Sequence, residues 1–355
     1  MKVLFCCLKY EYGRPDWGLS FEYQNFYQVL KTMEGIEAES FFVDEKILEA
    51  GRDVMNPLLI KTVEETKPDL LFTFLFTEEL KKETIDYITR KTPTKTFNWF
   101  ADDHWRFPIY SRYWAPLFTA VSTTDSQAVA KYKSIGVNVI KSQWAANTAL
   151  YKLNRNQKSG IRNYDIAFVG KNYGNRWQYI ASLKSAGLPA EGYGGGWQQG
   201  RVSFENMLEI FSNSKISLNF TESPYVTAAE RLKLLAKLLV KKEMGTYKFS
   251  GQNIIGNFQS ALGAQRRQIK GRTFEVPACG GFLLTGDADN LRDYYLDGKE
   301  LVIFKNKSDL AEKCKYYLEH EAERKAIAEA GYQRTLKEHT YEKRFKEIFI
   351  ALGLA

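Results

Sequence analysis

The chain has little of what marks secreted, membrane-spanning or metal-rich proteins. Among its 355 residues are only four cysteines and three histidines, and the cysteine spacing fits neither a disulfide framework nor a zinc site. No apolar run reaches the roughly 18 residues of a transmembrane helix. The first eight residues are too few for a signal peptide and contain no small-residue cleavage site. We therefore expect a cytoplasmic protein with reduced thiols.

What the chain does have is the composition of a globular protein with a localised basic charge. Its 44% hydrophobic and 26% charged residues exclude wholesale disorder, and 355 residues are enough for two domains. Most of the net charge of +8 lies in residues 222–270, which hold nine basic residues and three acidic ones. Such a segment favours anionic partners, namely phosphates, acidic lipids or nucleic acid.

Strand and helix patterns alternate along the whole chain, which predicts parallel, doubly wound α/β sheets. In the first half, strand patterns cover residues 3–8, 39–43, 69–74, 94–100, 120–122 and 137–140. In the second half they cover residues 164–169, 190–193, 216–220, 283–285 and 301–304. Because the polar stretch 151–163 reads as a linker, we expect Rossmann-like domains over residues 1–150 and 164–355.

A segment around Glu275 combines the residues that a nucleotide site needs. Lys270 and Arg272 precede this glutamate on the first turn of a predicted short helix, which Gly280 and Gly281 end before an apolar strand. A helix start offers free N–H groups and a positive dipole end to a phosphate, and the carboxylate can accept hydrogen bonds from sugar hydroxyls. The alternative is an ordinary acidic residue in the first turn of a helix.

Two further loops follow predicted strands of the second half. Gly170 permits close backbone approach, and Lys171 and Arg176 after it can neutralise a diphosphate, although the spacing matches no established phosphate-loop motif. Gly194 and Gly195 end the next strand, where small residues leave room for a nucleobase; a plain flexible turn explains them equally well.

These motifs stand in an order that resembles a known group of enzymes. The second half resembles the nucleotide-sugar-binding domain of group 1 glycosyltransferases, specifically the CgeB-like spore-maturation family. The resemblance implies a GT-B fold, with two Rossmann-like domains facing each other across a cleft, and metal-independent sugar transfer. In that family Glu275 corresponds to the ribose-binding glutamate. The matching residues are 168–171, Arg176, 193–197, 214–219, 270–275, 278–281 and 338–344.

One position departs from the family pattern. Related enzymes carry an earlier glutamate eight residues before the ribose-binding one, and this chain has Arg267 there. Glu222 follows a predicted strand where the loop of that first glutamate would begin, and residues 223–266 look like an insertion. Whether Glu222 takes the missing role is left open by the sequence.

In the first half, a polar and aromatic cluster follows the predicted strand 94–100. Asp102, Asp103 and His104 are expected to point into the cleft, where one of them can orient or deprotonate a hydroxyl acceptor. Trp99 and Trp105 can stack on sugar faces. The alternative is a capping carboxylate with a histidine satisfied at a loop. The other two histidines, 320 and 339, lie in helical surface contexts and are expected to be structural.

Two more segments are candidates for the acceptor side. The loop after the first predicted strand carries Tyr12, Asp16 and Trp17 and is expected to face the cleft. Residues 228–243 read as an amphipathic basic helix, which either lies on an anionic membrane or packs its leucines onto its own domain.

The residues and the resemblance together predict a cytoplasmic glycosyltransferase that is peripheral to the inner face of the membrane. It would move a sugar from a nucleoside-diphosphate sugar to a hydroxyl acceptor, in surface polysaccharide or glycolipid synthesis, with no metal or other cofactor and with retention of configuration. Two alternatives stay open: a glycosyltransferase that modifies nucleic acid, which is otherwise not an expected partner, and a non-catalytic protein that keeps the fold.

Overall fold

The computed structural model describes residues 1–75, 77–153, 164–222, 240–243, 246–249 and 254–354. The chain divides into two compact units. Unit 1 comprises Met1–Gln143, Leu238–Ser260 and Tyr341–Ala355, and unit 2 comprises Trp144–Lys237 and Ala261–Thr340. The units therefore differ from a simple division of the sequence into halves, because the C-terminal segment belongs to the first unit.

Unit 1 is built on a six-stranded sheet in the order β2-β1-β3-β4-β5-β6, and all of its strand pairs are parallel. Parallel strands buried on both faces require continuous apolar runs, and the run after Lys2 supplies one. All six strands lie where the sequence predicts them. They are β1 (Lys2–Cys7), β2 (Glu37–Phe42), β3 (Leu70–Thr73), β4 (Lys95–Phe100), β5 (Ala120–Thr123) and β6 (Val139–Lys141).

Helices connect these strands, and one helix from the end of the chain completes the core. The rings of Tyr341 and Phe345 in that C-terminal helix pack against Phe26 and Phe72, with centroids 4.9 Å and 5.5 Å apart. The helices are Tyr23–Tyr27 (a π-helix), Gln28–Thr32, Val43–Ala50, Arg52–Thr66, Lys82–Lys91, Asp103–Arg106, Phe107–Ser111 (a π-helix), Arg112–Trp114, Ser126–Ser134 and Tyr341–Ala351.

Unit 2 repeats the arrangement with five parallel strands in the order β13-β12-β9-β7-β8. Its strands, also where the sequence predicts them, are β7 (Tyr164–Val169), β8 (Ala190–Tyr193), β9 (Ser214–Asn219), β12 (Leu283–Gly286) and β13 (Val302–Phe304). Its helices are Arg176–Ser185, Phe204–Asn213, Arg272–Ala278, Lys307–Glu319 and Glu321–Glu338. The strand order reverses between β7 and β9, which is where doubly wound sheets bind ligands.

The insertion contains a hairpin and a helix. Strands β10 (Val240–Glu243) and β11 (Thr246–Phe249) pair antiparallel, and the helix Ile254–Gly263 follows. The predicted helix over residues 228–243 is wrong in its last four residues, which form β10, because pairing with β-branched and aromatic residues of β11 overrides helical spacing. Residues 228–239 lie outside the described residues.

Candidate functional site

Arg176 joins the two loops that flank the point of strand reversal in unit 2. It is the first residue of the helix Arg176–Ser185 and is 6% exposed. Its Nη1 donates to the carbonyl of Lys171 after β7 at 2.9 Å, and its Nη2 donates to the carbonyl of Phe220 after β9 at 3.1 Å. A third hydrogen bond joins Nη2 to the Tyr173 hydroxyl at 2.6 Å. The guanidinium thus fixes both strand ends relative to each other.

The charge of Arg176 lies in a nearly water-free position. Burial lowers the pKa of its guanidinium, while Tyr173 and Glu222 oppose that shift. An arginine remains protonated in proteins even so. A cation in such surroundings acts on an approaching anion with less screening than a surface lysine does. Arg176 therefore strengthens the attraction of the β7 and β9 loops for negative charge.

Glu222 and Arg267 form an ion pair beside this arginine. The carboxylate of Glu222 is buried and accepts a 2.5 Å hydrogen bond from the Tyr179 hydroxyl. Arg267 Nη2 lies 3.6 Å from the same Oε1 atom, and 42% of the Arg267 side chain is exposed. The residue that departs from the family pattern thus pairs with the glutamate that the sequence suggested as a replacement.

Glu275 and Arg272 form a second pair below the end of β7. Glu275 lies on the helix Arg272–Ala278, is 1% exposed, and forms an ion pair with Arg272 Nη1. Burial lowers the pKa of the Arg272 guanidinium, but the Glu275 carboxylate more than offsets this and the pKa lies above its usual value. In this conformation Glu275 holds Arg272 in place and presents no free surface to a ribose.

Contacts on both sides fix the helix that carries this pair. Asn219 Nδ2, at the end of β9, donates to the Thr273 hydroxyl at 3.2 Å. On the other side Phe274 packs against Tyr295 and His339, with ring centroids 5.7 Å and 5.5 Å apart. The expectation that His339 lies at a helical surface is wrong, since its ring is 4% exposed within this aromatic cluster. No local pattern around His339 signals that burial.

Around these pairs the cations outnumber the carboxylates. Lys171 is exposed and Lys270 is half-buried, and the sequence places them beside Arg176 and Arg272 respectively. With Arg267 they make five cations against the two carboxylates Glu222 and Glu275. The sequence predicted all of these residues as candidates except Arg267, which it identified only as a departure. Two further carboxylates, Asp287 and Asp289 after β12, each pair with an arginine of their own, Arg292 and Arg266.

The glycines of the candidate site serve close packing. Gly194 has φ +121°, and a Cβ there would lie 2.6 Å from the carbonyl oxygen of Gly170. The amide of Asn172 donates to the Gly195 carbonyl at 2.8 Å, so the two loops are joined directly. Gly280 has φ +75° and, as expected, Gly280 and Gly281 close the helix, the amide of Gly281 donating to the Val276 carbonyl at 3.0 Å.

In unit 1, the three residues expected to act on the acceptor differ in exposure. Asp102 follows β4 with φ +59° and is half-buried, while the His104 side chain is buried. Asp103 is completely buried and accepts a 2.9 Å hydrogen bond from the Tyr132 hydroxyl. Burial raises the pKa of Asp103 to about 6, partly offset by nearby hydroxyls including that of Tyr132. The expectation that Asp103 points toward a substrate does not fit this position.

The aromatic residues of unit 1 that were expected to contact the acceptor also differ in exposure. Trp99 is completely buried, so it has no free face for a sugar, because β4 is covered on both sides; Trp105 is half-buried. Tyr12 and Trp17 are 58% and 40% exposed, and their ring planes meet at 86° with centroids 5.8 Å apart. Asp16 in the same loop pairs with Arg14 at 3.1 Å. This loop therefore presents two aromatic rings to solvent.

The described residues offer little support for a reactive thiol, a metal site or a membrane-spanning helix. All four cysteines are free and buried, and burial raises the pKa of the Cys279 thiol to about 12. Within the described ranges, no cluster of three or more histidine, cysteine or carboxylate side chains is placed to hold a metal ion. Nor is any helix of that part of the chain long and apolar enough to cross a bilayer.

The fold and the site together define an α/β protein of two doubly wound units, and solved structures of this kind match along the whole chain. HepE from Anabaena, in complex with UDP, matches with a TM-score of 0.62 and 11% identity, covering 100% of both chains. Sucrose-phosphate synthase from Thermosynechococcus elongatus matches with a TM-score of 0.60 and 9% identity, and the match covers 99% of this chain and 100% of that one. A glycosyltransferase from Rickettsia africae ESF-5 matches with a TM-score of 0.61 and 10% identity, and the match covers 99% of this chain and 98% of that one. These matches confirm the predicted two-domain GT-B fold class.

A sequence family also matches part of the chain. Residues 243–349 match the model of a family described as glycosyl transferase-like, and this range includes Arg267, Lys270, Arg272 and Glu275. Among curated protein sequences, none matches this chain. The match supports the coarser likeness to a glycosyltransferase-like domain, and the CgeB-like resemblance stays a prediction.

Proposed function

We propose that the protein is a glycosyltransferase that moves a sugar from a nucleoside-diphosphate sugar to a hydroxyl acceptor. The observation that carries the proposal is the excess of cations where the strand order of unit 2 reverses. Doubly wound sheets commonly bind a pyrophosphate at this point, and its negative charge suits a site that is rich in cations. HepE has been solved in complex with UDP, with UDP-glucose, and with UDP and glucose, which supports a uridine nucleotide for this chain.

The donor would be held mainly by side chains at the loop ends. Lys171, Arg267, Lys270 and Arg272 would contact the phosphates, and the buried charge of Arg176 would strengthen the field there. Fixed cations of this kind stabilise the negative charge that builds on the leaving nucleoside diphosphate without a metal ion. Glu275 would act by fixing Arg272, and ribose binding by this glutamate requires Arg272 to move aside.

The acceptor side of the proposal rests on unit 1. Asp102 and His104 are the candidates for orienting or deprotonating the acceptor hydroxyl, with Asp103 supporting them from the interior. The exposed rings of Tyr12 and Trp17 suit the apolar face of a saccharide. A surface polysaccharide or glycolipid acceptor, retention of configuration and a cytoplasmic location complete the proposal, and a structural neighbour described as a lipopolysaccharide outer core galactosyltransferase supports such an acceptor.

Titration with nucleotides tests the donor site. UDP and a panel of UDP-sugars, each at about one hundred times its dissociation constant, should stabilise the protein by about 2.7 kcal/mol in thermal unfolding. Lys171→Met should raise the Kd for UDP about tenfold, because it removes one exposed phosphate contact worth about 1.4 kcal/mol. Lys184→Met is the matched control, because Lys184 is also exposed and lies near the far end of the helix that follows the Lys171 loop.

Two results would contradict the proposal. The donor site fails if no nucleoside diphosphate or nucleotide sugar changes the unfolding temperature, or if the two lysine variants bind UDP equally. The proposed catalysis is contradicted if the protein binds a nucleotide sugar but releases no UDP from it, either by transfer or by hydrolysis. That outcome would identify a non-catalytic binding protein with this fold.

A further inference from the structure

The loop that follows β1 lies where the strand order of unit 1 reverses. In the order β2-β1-β3, β2 lies on one side of β1 and β3 lies on the other, and doubly wound sheets bind ligands at such a point. We call residues 8–20 the β1 loop, and they carry the exposed side chains of Tyr12 and Trp17. The position of the β1 loop in the fold is therefore that of a ligand-binding loop.

Asp44 fixes the start of the β1 loop from the end of the neighbouring strand. It lies in the first turn of the helix Val43–Ala50, directly after β2, and is 6% exposed. Its carboxylate accepts hydrogen bonds from the backbone amides of Lys9 and Tyr10, each at 2.9 Å. Hydrogen bonds to a charged acceptor are stronger than those between neutral groups. One side chain thus ties the β1 loop to the end of β2, as Arg176 ties two loops of unit 2 together.

Backbone contacts continue from these two amides and close the β1 loop. Tyr10 and Leu19 form an antiparallel bridge, and the amide of Glu11 donates to the Gly18 carbonyl at 2.9 Å. Between them Tyr12 has φ +53°, a left-handed conformation that residues other than glycine keep only where their surroundings hold them in it. The β1 loop is therefore held in one conformation, and that conformation begins at the amides that Asp44 binds.

The two rings of the β1 loop depend on this conformation for their orientation. The ring planes of Tyr12 and Trp17 meet at 86°, and the Arg14 guanidinium lies 4.7 Å from the centre of the Trp17 ring. Rings of this kind suit the apolar face of a saccharide. A ligand binds more tightly to groups that are fixed in advance, because less freedom of motion is lost on binding. The contacts that hold the β1 loop therefore bear on saccharide affinity.

We propose that Asp44 is a positioning residue, which holds Tyr12 and Trp17 in the orientation that binds a saccharide acceptor. The inference rests on the proposed glycosyltransferase function, and it gives Asp44 no contact with the acceptor itself. Asp44→Asn keeps the size of the side chain but replaces one acceptor oxygen with an amino group that cannot accept a hydrogen bond from a backbone amide. The β1 loop then visits other conformations, and its apparent affinity for the acceptor falls with the fraction that stays competent to bind.

Acceptor kinetics test the inference with the full chain, with UDP-glucose as donor and a panel of glucose-containing disaccharides as probe acceptors. Asp44→Asn should raise the acceptor KM about fivefold and leave kcat and the Kd for UDP unchanged. In a chain that already carries Tyr12→Ala and Trp17→Ala, the same change should not raise KM further, because no ring is left to position. The matched control is Asp69→Asn, since the Asp69 carboxylate accepts a hydrogen bond from the amide of Lys2 at 2.7 Å at the other end of β1.

Amide hydrogen exchange gives a second readout that needs no acceptor. Asp44→Asn should speed the exchange of residues 9–18 about tenfold, and Asp69→Asn should not. Glu45→Gln is a milder variant, because it weakens only the 2.6 Å ion pair between Glu45 and Lys9 across the same two strand ends, and it should raise the acceptor KM about twofold.

Three results would overturn the inference: native exchange rates of the β1 loop in Asp44→Asn, an equal rise in KM in both aspartate variants, or a further rise in KM when Asp44→Asn is added to the chain without the two rings. Failure of the proposed function would look different, because the native chain itself would then release no UDP from UDP-glucose with any acceptor of the panel.

Discussion

The two sheets share one strand order around their first strand, yet their buried ionisable groups lie at different places in that order. In unit 2, Arg176 joins the loops after β7 and β9, where the order reverses, whereas in unit 1 Asp102 and Asp103 follow β4, the counterpart of β12. The core that builds each sheet is apolar in both. The fold therefore decides where a ligand binds, and the loop residues decide which ligand it is.

The buried ionisable groups show the contrast most clearly. Arg176 stays charged because its protonated form has two carbonyl acceptors and a tyrosine hydroxyl. Asp103 accepts a hydrogen bond from the neutral Tyr132 hydroxyl, and burial raises its pKa to about 6 although nearby hydroxyls and the charge of Arg106 oppose the shift. One unit thus carries a fixed positive charge, whereas the other carries a carboxyl group that titrates near neutral pH.

The largest effect on ligand binding should follow from changing the fixed charge of Arg176. Arg176→Lys keeps the charge but loses the planar fork that spans the two strand ends, and we expect about a hundredfold rise in the Kd for UDP by calorimetry. Arg324→Lys is the control, since Arg324 is also buried in unit 2 and donates to the carbonyl of Tyr317. Equal losses of UDP affinity in both variants would show that Arg176 only stabilises the fold.

The titrating group should give unit 1 a distinctive pH response. The pKa of Asp103 is raised from 3.8 to about 6, so the native state holds this proton over a range where the unfolded chain has lost it. The contribution of Asp103 to the free energy of unfolding is fully present below about pH 4. It falls by about 3 kcal/mol in all as the pH rises to about 6. Asp103→Asn should remove this fall, as measured by denaturant unfolding across that range. A slope as steep as that of the native chain would show that another group is responsible.

A smaller effect is expected at the ion pair of Glu222 and Arg267. Glu222→Gln removes the carboxylate that partly neutralises Arg267, so the Kd for UDP should fall by about threefold to tenfold. Glu191→Gln is the control, because Glu191 also accepts a hydrogen bond from a tyrosine, Tyr193, on the same sheet. If Glu222→Gln weakens UDP-sugars and leaves UDP unchanged, the glutamate binds the sugar instead.

The smallest effect is expected at the exposed aromatic loop of unit 1. Trp17→Ala should raise the KM for a saccharide acceptor by a few-fold, about 1 kcal/mol, and leave donor affinity and unfolding temperature unchanged. Tyr113→Ala, at another half-exposed aromatic of unit 1, is the control with 45% exposure. An equal KM for both variants would remove the loop from the acceptor site.

The sequence predicts the sheets more completely than it predicts the sites. Apolar runs mark most of the eleven strands of the two sheets, because parallel strands that are buried on both faces are apolar. The edge strands β2 and β8 are more polar, with Glu37 and Glu39 in the first and Glu191 in the second. The same rule explains an error, since Trp99 lies within β4 and is buried with it. Whether a polar residue just after a strand faces water or the core depends on its tertiary neighbours. Asp103 is an example, because it turns inward and accepts a hydrogen bond from Tyr132.

The pairing of Arg267 with Glu222 is likewise invisible in the sequence. The two residues are separated by the whole insertion and meet only because the ends of β9 and of the insertion lie together. The basic character of the insertion is evident from composition, but its helix Ile254–Gly263 is not, because glycine and polar residues interrupt the apolar spacing on its buried side.

The C-terminal helix Tyr341–Ala351 has a consequence for synthesis. Its rings cover Phe26 and Phe72 in unit 1, so a fragment that contains only residues 1–150 would expose part of its core. On the ribosome, the first segment of unit 1 (Met1–Gln143) is made first, but unit 1 lacks this helix until residues 341–351, which follow the last segment of unit 2, have emerged. Unit 2 therefore has all of its segments available before unit 1 does, and the order of completion is the reverse of the order of translation.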